Sequence, residues 1–534
     1  MIRGNPFLPV WGPLCFGLLL GLGACVSSLP PVADTDSSLD AGDSPSPDGP
    51  DGGESTDAGP VIVDAGTPEP TIPDPFLPRP DSTEGLTNIA SDLSALLENG
   101  TLPGACTAWE QDPSNREKRL RCGKAMFFYE GFDTVGVPAP IFDFFGQEFE
   151  EELGLGFSAY GVIPDPYSDI NRPLGFVPGA PLRTSMLGIE RDVETVAFTC
   201  ASCHFGQLPD GRYAVGAPNH NYEYGNHILA LLLAPSSAGL GFREEDHHPD
   251  AIEKIRPVLD RLDSSNGLKI RLGIDLLPLL GAQDETPLVS YEDEGHYAHW
   301  LSGTMDFMMA PLPLDDTVHT VSKIISLWDI PAEDEEESYD MPHAMLSWSG
   351  GAQSVMQFLR GFVAIGDGAD DAWPDERLAP LAEYIISLRA PEPLSAPDAT
   401  LVAEGRDIFF GAGQCIDCHA GPRGGGQRLY TFEEIGTDDA MRAWGDPELD
   451  GELCCGLGAG EPTHGIKSPR LNGLFAQTRF LHNGSVSSLE ELLCYDGPRD
   501  PIEAIAFGNA GHEFGCDDLT QEDKDALLAF LRSL

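Results

Sequence analysis

The stretch Cys415-Ile416-Asp417-Cys418-His419 constrains this chain more than any other. Two thiols three positions apart, followed at once by an imidazole, match the two vinyl groups and the iron of one protoporphyrin, which is how a c-type haem is attached. The pattern recurs at Cys200-Ala201-Ser202-Cys203-His204, in a chain with 12 cysteines and 13 histidines. A thioredoxin-like redox pair has no reason to end in His twice. A zinc site needs a second Cys or His pair at short range, which neither run has. The sequence therefore predicts two covalently bound haem c groups. Cys200, Cys203 and His204 would hold the first, and Cys415, Cys418 and His419 the second, each His being a proximal iron ligand.

A chain of 534 residues exceeds one core and predicts two or three domains. With 31 basic residues against 86 acidic ones its net charge is −55, and no basic cluster interrupts the acidity. A nucleic-acid partner is excluded on that ground. A small cationic redox protein would be attracted, although general solubility accounts for the charge equally well.

An apolar run from Pro13 to Ala24 is too short to span a bilayer and has the form of a signal-peptide core. It ends in Leu22-Gly23-Ala24-Cys25, which has the form of a lipoprotein box. Residues 1–25 thus predict export and lipidation at Cys25, with a plain secretory signal as the alternative. The membrane would be met through this anchor alone, in the periplasm, at the outer membrane or at the cell surface. Residues 26–83 are rich in Asp, Pro, Ser and Gly and too poor in apolar side chains to offset the entropy of folding, so they read as a disordered linker.

Residues 84–395 read as an N-terminal haem domain with insertions, and 396–534 as a C-terminal cytochrome c domain. Helical spacing runs through Leu86, Ile89, Leu93, Leu96 and Leu97, and again through Ile228–Leu233, Val355–Val363, Leu378–Leu388 and Leu401–Phe410. The Phe-rich block 126–157 reads as core. Thr520 and Asp523 form a capping box ahead of Leu527, Phe530, Leu531 and Leu534. The fold class is mainly α: two c-type haem domains packed together, with an enlarged irregular helical N-terminal and middle region.

The run Lys467 to Val486, with His482-Asn483-Gly484-Ser485 near its end, together with Leu489–Leu493, resembles the bacterial di-haem cytochrome c peroxidase superfamily. That superfamily also holds the enzyme maturing tryptophan tryptophylquinone. The resemblance covers roughly residues 190–230 and 340–534 and is specific over the last domain. Its peroxidases place a methionine ligand of the second haem fourteen residues after the His matching His482, and the quinone-maturing member uses tyrosine there. Here that position is Asp496, beside Tyr495. The segment Gly508 to Gly515 looks instead like the rubber-oxygenase branch, which uses a His near the C-terminus. Of the candidates in the last domain, His464, His482, Tyr495 and His512, the resemblance thus implies His512 as the distal ligand of the second haem, with Tyr495 as runner-up.

For the first haem the resemblance implies His220 as a distal catalytic histidine and an aromatic pocket from Trp348, Phe358 and Phe362, for which core packing is the plainer reading of the two phenylalanines. It also brings an expected calcium ion, to which acidic residues spread over the chain give no position. Cys106 and Cys122 are a candidate disulfide. Vicinal Cys454 and Cys455 would each pair with Cys494 or Cys516, in a connectivity the spacing leaves open. The expected activity is that of a peroxidase-like oxidoreductase. It would reduce hydrogen peroxide at the first haem with electrons relayed by the second from a small redox protein. A dioxygenase cleaving an apolar substrate and a plain electron-transfer cytochrome are the alternatives.

Overall fold

Several helices in this chain start at a capping side chain ahead of an apolar stripe, and two pairs cross closely where a glycine removes a side chain. In the computed structural model, residues 74–76, 88–186, 189–238, 242–273, 290–306, 321–331, 346–350, 352–365, 372–393, 395–443, 465–504 and 506–534 are described. The helix Arg116–Tyr129 starts at Asn115, whose side chain accepts the Lys118 amide, and buries Leu120, Met126, Phe127 and Phe128. It packs against Asp375–Ser387. Gly123 permits the crossing, since a Cβ there would sit 2.1 Å from the Pro380 carbonyl oxygen. A disulfide between Cys106 and Cys122 ties the preceding helix Ala105–Glu110 to it.

The Phe-rich block divides between two cores. Phe127, Phe128 and Phe132 pack with Trp373 and Tyr384, whereas Phe142, Phe145, Phe149 and Phe157 pack with the helices Tyr224–Ala238 and Pro249–Asp263. Each fully buried phenylalanine contributes about 1.5–3 kcal/mol, so this block anchors the N-terminal body.

Short antiparallel strands supply the rest of the frame. Thr195–Phe198 lies between Val137–Pro138 and Phe176–Pro178, and Phe205–Gln207 pairs with Tyr213–Val215. The helix expected from Leu86 to Leu97 is not continuous over its described part. Ile89–Ala90 instead adds a strand to Tyr213–Val215, and helix begins only after Asp92 caps Leu93–Leu96. An unpaired strand edge outcompeted local helical spacing there.

In the C-terminal part, Ala399–Phe410 is capped by the Asp398 carboxylate and packs along Gln521–Ser533, which starts in the capping box formed by Thr520 and Asp523. Gly405 permits this crossing, because a Cβ would lie 1.9 Å from the Ala526 carbonyl oxygen. Phe409, Leu527, Phe530 and Leu531 form the core between them.

The mainly α class is what the described residues have. Three residues assigned to the linker depart from it. Asp74 pairs with Arg406, the Arg423 amide donates to the Pro75 carbonyl, and Phe76 stands edge-on to Phe409, Phe410 and Phe530. One aromatic side chain with an apolar cleft to fill is enough to order this turn. Among the described residues no helix is long and apolar enough to cross a membrane. Cys25, the rest of the linker, Cys454, Cys455 and His464 lie outside the described residues.

Candidate haem-binding cavities

The first Cys-x-x-Cys-His run sits at a strand-to-helix junction. Thr195–Phe198 leads to Thr199, whose hydroxyl accepts the Ala201 amide and donates to the Phe127 carbonyl, starting the one-turn helix Cys200–His204. Helical winding brings Cys200, Cys203 and His204 to one side. Both cysteines are free of disulfides, and burial pushes their thiols up to about 12 and about 11. They are therefore neutral thiols. His204 Nδ1 lies 3.0 Å from the Ile325 carbonyl oxygen, and burial takes its pKa down to about 4. The ring is neutral, Nδ1 is the donor, and Nε2 keeps its lone pair. Metal-binding histidines are commonly oriented in this way, with the second nitrogen held by a backbone carbonyl.

A cavity of about 160 Å³ opens beside this turn. Cys200, Cys203, His204, Trp348, Phe358 and Phe362 are among its lining residues, together with Tyr224 and Met305. Met305 Sδ lies 3.9 Å from Cys203 Sγ. Among the described residues, no second histidine and no carboxylate lines this cavity.

The second run forms a short 3₁₀ turn, Cys415–Asp417, directly after Ala399–Phe410. His419 is buried, and its Nδ1 is hydrogen-bonded to the Gly424 carbonyl. Burial lowers its pKa, against the opposing pull of the Gly424 and Pro469 carbonyls, so this ring too is neutral. The loop that supplies Gly424 is the one whose Arg423 amide is held by Pro75, so the docked turn at Phe76 supports the orientation of His419.

A cavity of about 260 Å³ is lined by Cys415, Cys418, His419, His482 and His512 among others. The His419 and His512 ring centroids are 6.4 Å apart at an interplanar angle of 72°. Two imidazoles bound to opposite faces of one metal ion, each through a nitrogen about 2 Å away, would have centroids about 6 Å apart. His512 Nδ1 is buried with no hydrogen-bond partner, and burial holds its pKa down to about 4. Leaving such a group unsatisfied costs about 1–3 kcal/mol, a cost that a metal bond removes. The residues present therefore fit a haem iron.

His512 is held there by its chain. Its φ of 52° is left-handed, its amide donates to the Ile435 carbonyl, and Arg499 caps the Gly511 carbonyl. Cys494 and Cys516 form a disulfide across this segment, and Lys524 Nζ donates to the carbonyls of both. The expected pairing of Cys454 and Cys455 with these two cysteines is thereby corrected. The partners are 22 residues apart and close one loop by themselves.

Other expected residues lie elsewhere. Tyr495 points away from the cavity and donates to Asp525 at 2.7 Å. His220 is not among the lining residues of either cavity. The Asn219 amide is bonded to the Cys203 carbonyl, and His220 Nε2 turns to Gln477 Oε1 at 3.2 Å. The structure thus does not bring it to the His204 side. Trp348 is in the expected wall but also lines the second cavity, with Nε1 donating to the Lys323 carbonyl at 3.0 Å. Among the described residues, no group of three or more His, Cys, Asp and Glu side chains is arranged to hold an ion, so the calcium expectation gains no site there.

Sequence reasoning overlooked the partition between the cavities. Lys323, Ile325, Ser326, Trp348, Lys467 and Arg470 line both. The one signal was scarcity, since 31 cations in a chain with 86 acids make any buried lysine unusual. No protein-family model matches the chain and no curated protein matches it, so its own residues carry the functional reading.

Proposed function

We propose that the protein is an exported two-haem c-type cytochrome that works as a peroxidase-like oxidoreductase. The observation that supports this most is the pair of cavities, each with one Cys-x-x-Cys-His run, separated by a single partition that contains Trp348. Haem bound at these cysteines would supply redox chemistry and an iron able to bind peroxide or dioxygen. The chain's residues set which cavity does what. In the second, His419 and His512 offer two neutral imidazoles, which suits a six-coordinate relay. In the first, no second histidine lines the cavity among the described residues, and Trp348, Phe358 and Phe362 form an apolar wall beside His204.

A peroxidase needs electrons from a donor, and a partition that joins two redox sites suits that need. The expected result is oxidation of a small reduced cytochrome when hydrogen peroxide is added, measured by stopped-flow absorbance. No donor oxidation above background would sink this reading.

A dioxygenase reading has its own support. Splitting peroxide is aided by a general acid or base, and the lining of the first cavity has, among the described residues, the Ser347–Ser349 hydroxyl pair at 2.9 Å but no carboxylate. That apolar wall suits an apolar alkene. Incorporation of ¹⁸O from dioxygen into such a substrate, without an electron donor, would decide for it.

A further inference from the structure

The N-terminal core contains a buried polar pair outside both cavities. Tyr222 and His227 are each 0% exposed, and the Tyr222 hydroxyl lies 3.1 Å from His227 Nδ1. Tyr222 stands just ahead of the helix Tyr224–Ala238 and His227 in its first turn, so the pairing is local. The rings of Phe142, Phe157, Tyr160 and Phe176 surround the imidazole, with centroids 6.1, 4.8, 5.5 and 5.8 Å away. His227 Nε2 has no hydrogen-bond partner among the described residues. Packing alone does not account for this, because an apolar ring would fill the same space without burying an unsatisfied nitrogen.

The pair is tied to the first Cys-x-x-Cys-His run. The Cys203 carbonyl accepts the Asn219 amide at 2.8 Å, and the Asn219 carbonyl accepts the Tyr222 amide at 3.1 Å. Cys203 packs against the hydrophobic cluster that contains Tyr222. Tyr224, which lines the first cavity, stands edge-on to Tyr222 with ring centroids 5.8 Å apart. Burial above all, then the Cys203 sulfur and Tyr224, push the Tyr222 hydroxyl well above the ordinary phenol range, so it keeps its proton. Burial takes His227 down to about 3, so its ring is neutral and has one nitrogen able to accept. The phenol is the donor to that nitrogen.

We infer that Tyr222 and His227 form a redox-active pair that supplies an electron to the oxidised group held at Cys200 and Cys203. This rests on the peroxidase reading above. An electron leaves the Tyr222 ring and its hydroxyl proton passes to His227 Nδ1, giving a neutral tyrosyl radical and an imidazolium. Oxidation turns a phenol into a strong acid, so a base already in hydrogen-bond contact eases the step. The aromatic rings around His227 suit the imidazolium, because a cation is attracted to ring faces. The oxidant is hydrogen peroxide, which takes up two electrons and two protons and leaves as two waters. One electron comes from Tyr222 and the other from the iron, and both protons come from solvent. An electron from the reduced donor, with return of the proton from His227, restores the pair.

The test uses oxidised protein matured with both haems, mixed with hydrogen peroxide without a donor and rapidly frozen for electron paramagnetic resonance. A narrow organic radical is expected. Ring-deuterated tyrosine should collapse its splitting, and Tyr222→Phe should remove it. His227→Phe fits the aromatic cage but cannot take the proton, and it should slow the radical's appearance by about 100-fold. A radical that persists in Tyr222→Phe, one that ignores tyrosine deuteration, or equal rates in wild type and His227→Phe would overturn the proposal. If the variants do not accumulate, wild-type protein containing ¹⁵N-histidine is read by electron–nuclear double resonance. A tyrosyl radical coupled to a histidine nitrogen supports the pair, and one without that coupling contradicts it. Protein whose mass contains no haem, or whose haem spectrum peroxide leaves unchanged, overturns the underlying reading as well. A two-haem protein whose spectrum responds to peroxide with no radical at Tyr222 overturns the pair alone.

Discussion

The two cavities start from the same five-residue pattern and end in different linings. Around His419 the chain brings up a second imidazole, with the His512 loop stapled by the Cys494–Cys516 disulfide and capped by Arg499 and Lys524. Around His204 it brings up Trp348, Phe358, Phe362 and Leu359. On the proposed haem reading, the attachment motif decides where a group is bound. What faces the bound group is decided by segments more than a hundred residues away in the first case, such as Trp348, and by the C-terminal loop in the second. On the proposed reading, a paired site suits electron relay, and one with no second imidazole among the described residues suits chemistry.

The largest expected effect removes one side of the comparison. Cys200→Ala with Cys203→Ala should lower the mass of the denatured protein by one haem and leave the His419 site intact. Loss of both groups together would mean that the cavities do not mature independently.

Next is His512→Ala, which should convert one low-spin haem to high-spin with attachment at Cys415 and Cys418 unaffected. Tyr495→Phe should leave the spectrum unchanged, because Tyr495 is committed to Asp525. Low-spin signal that survives His512→Ala would remove the assignment. Met305→Leu sharpens the other side: its sulfur near Cys203 is, with that of Met441, a thioether lining the first cavity among the described residues. This variant should leave the spin state alone.

How far these sites were legible follows from distance along the chain. The cysteine spacing, the Thr520 capping box and the Phe-rich cores are local or compositional signals, and each appears where the residues placed it. Asp74–Phe76 was hidden by its surroundings, since proline and aspartate on either side obscure one useful aromatic. The carbonyls of Ile325 and Gly424, which orient His204 and His419, are backbone atoms without a residue-type signature. The partition assembles positions 323, 348, 467 and 470, and no periodicity links them. The placement of His220 rested on spacing alone, and Gln477 provided a competing hydrogen bond that spacing does not encode.

Smaller effects concern stability. Phe76→Ala deletes an aromatic from the cluster with Phe409, Phe410 and Phe530. A cost of about 1–3 kcal/mol is expected. Denaturant midpoints of the wild type and the variant measure it, and the loss should report on the His419 side while the His204 spectrum stays constant. An unchanged midpoint would mean that the docked turn contributes nothing.

The N-terminal core has an acid sensitivity of its own. His227 is fully buried among Phe142, Phe157, Tyr160 and Phe176, 3.1 Å from the Tyr222 hydroxyl, and burial takes its pKa from 6.5 to about 3. The unfolded chain then binds a proton that the folded chain refuses. Stability should be complete above about pH 6.5 and fall as pH drops toward 3, by about 1.4 kcal/mol per pH unit for this one group. His227→Gln should flatten that part of the profile relative to wild type, as followed by thermal melting across pH. Parallel profiles would show that His227 does not titrate on unfolding.

The difference between the cavities is tested most directly by low-temperature electron paramagnetic resonance of the oxidised two-haem protein. A His204 site with no second histidine among the described lining residues and a paired His419–His512 site predict one high-spin and one low-spin ferric signal of equal spin concentration. Two low-spin signals would contradict the account, because both irons would then be closed and neither cavity could bind peroxide or dioxygen.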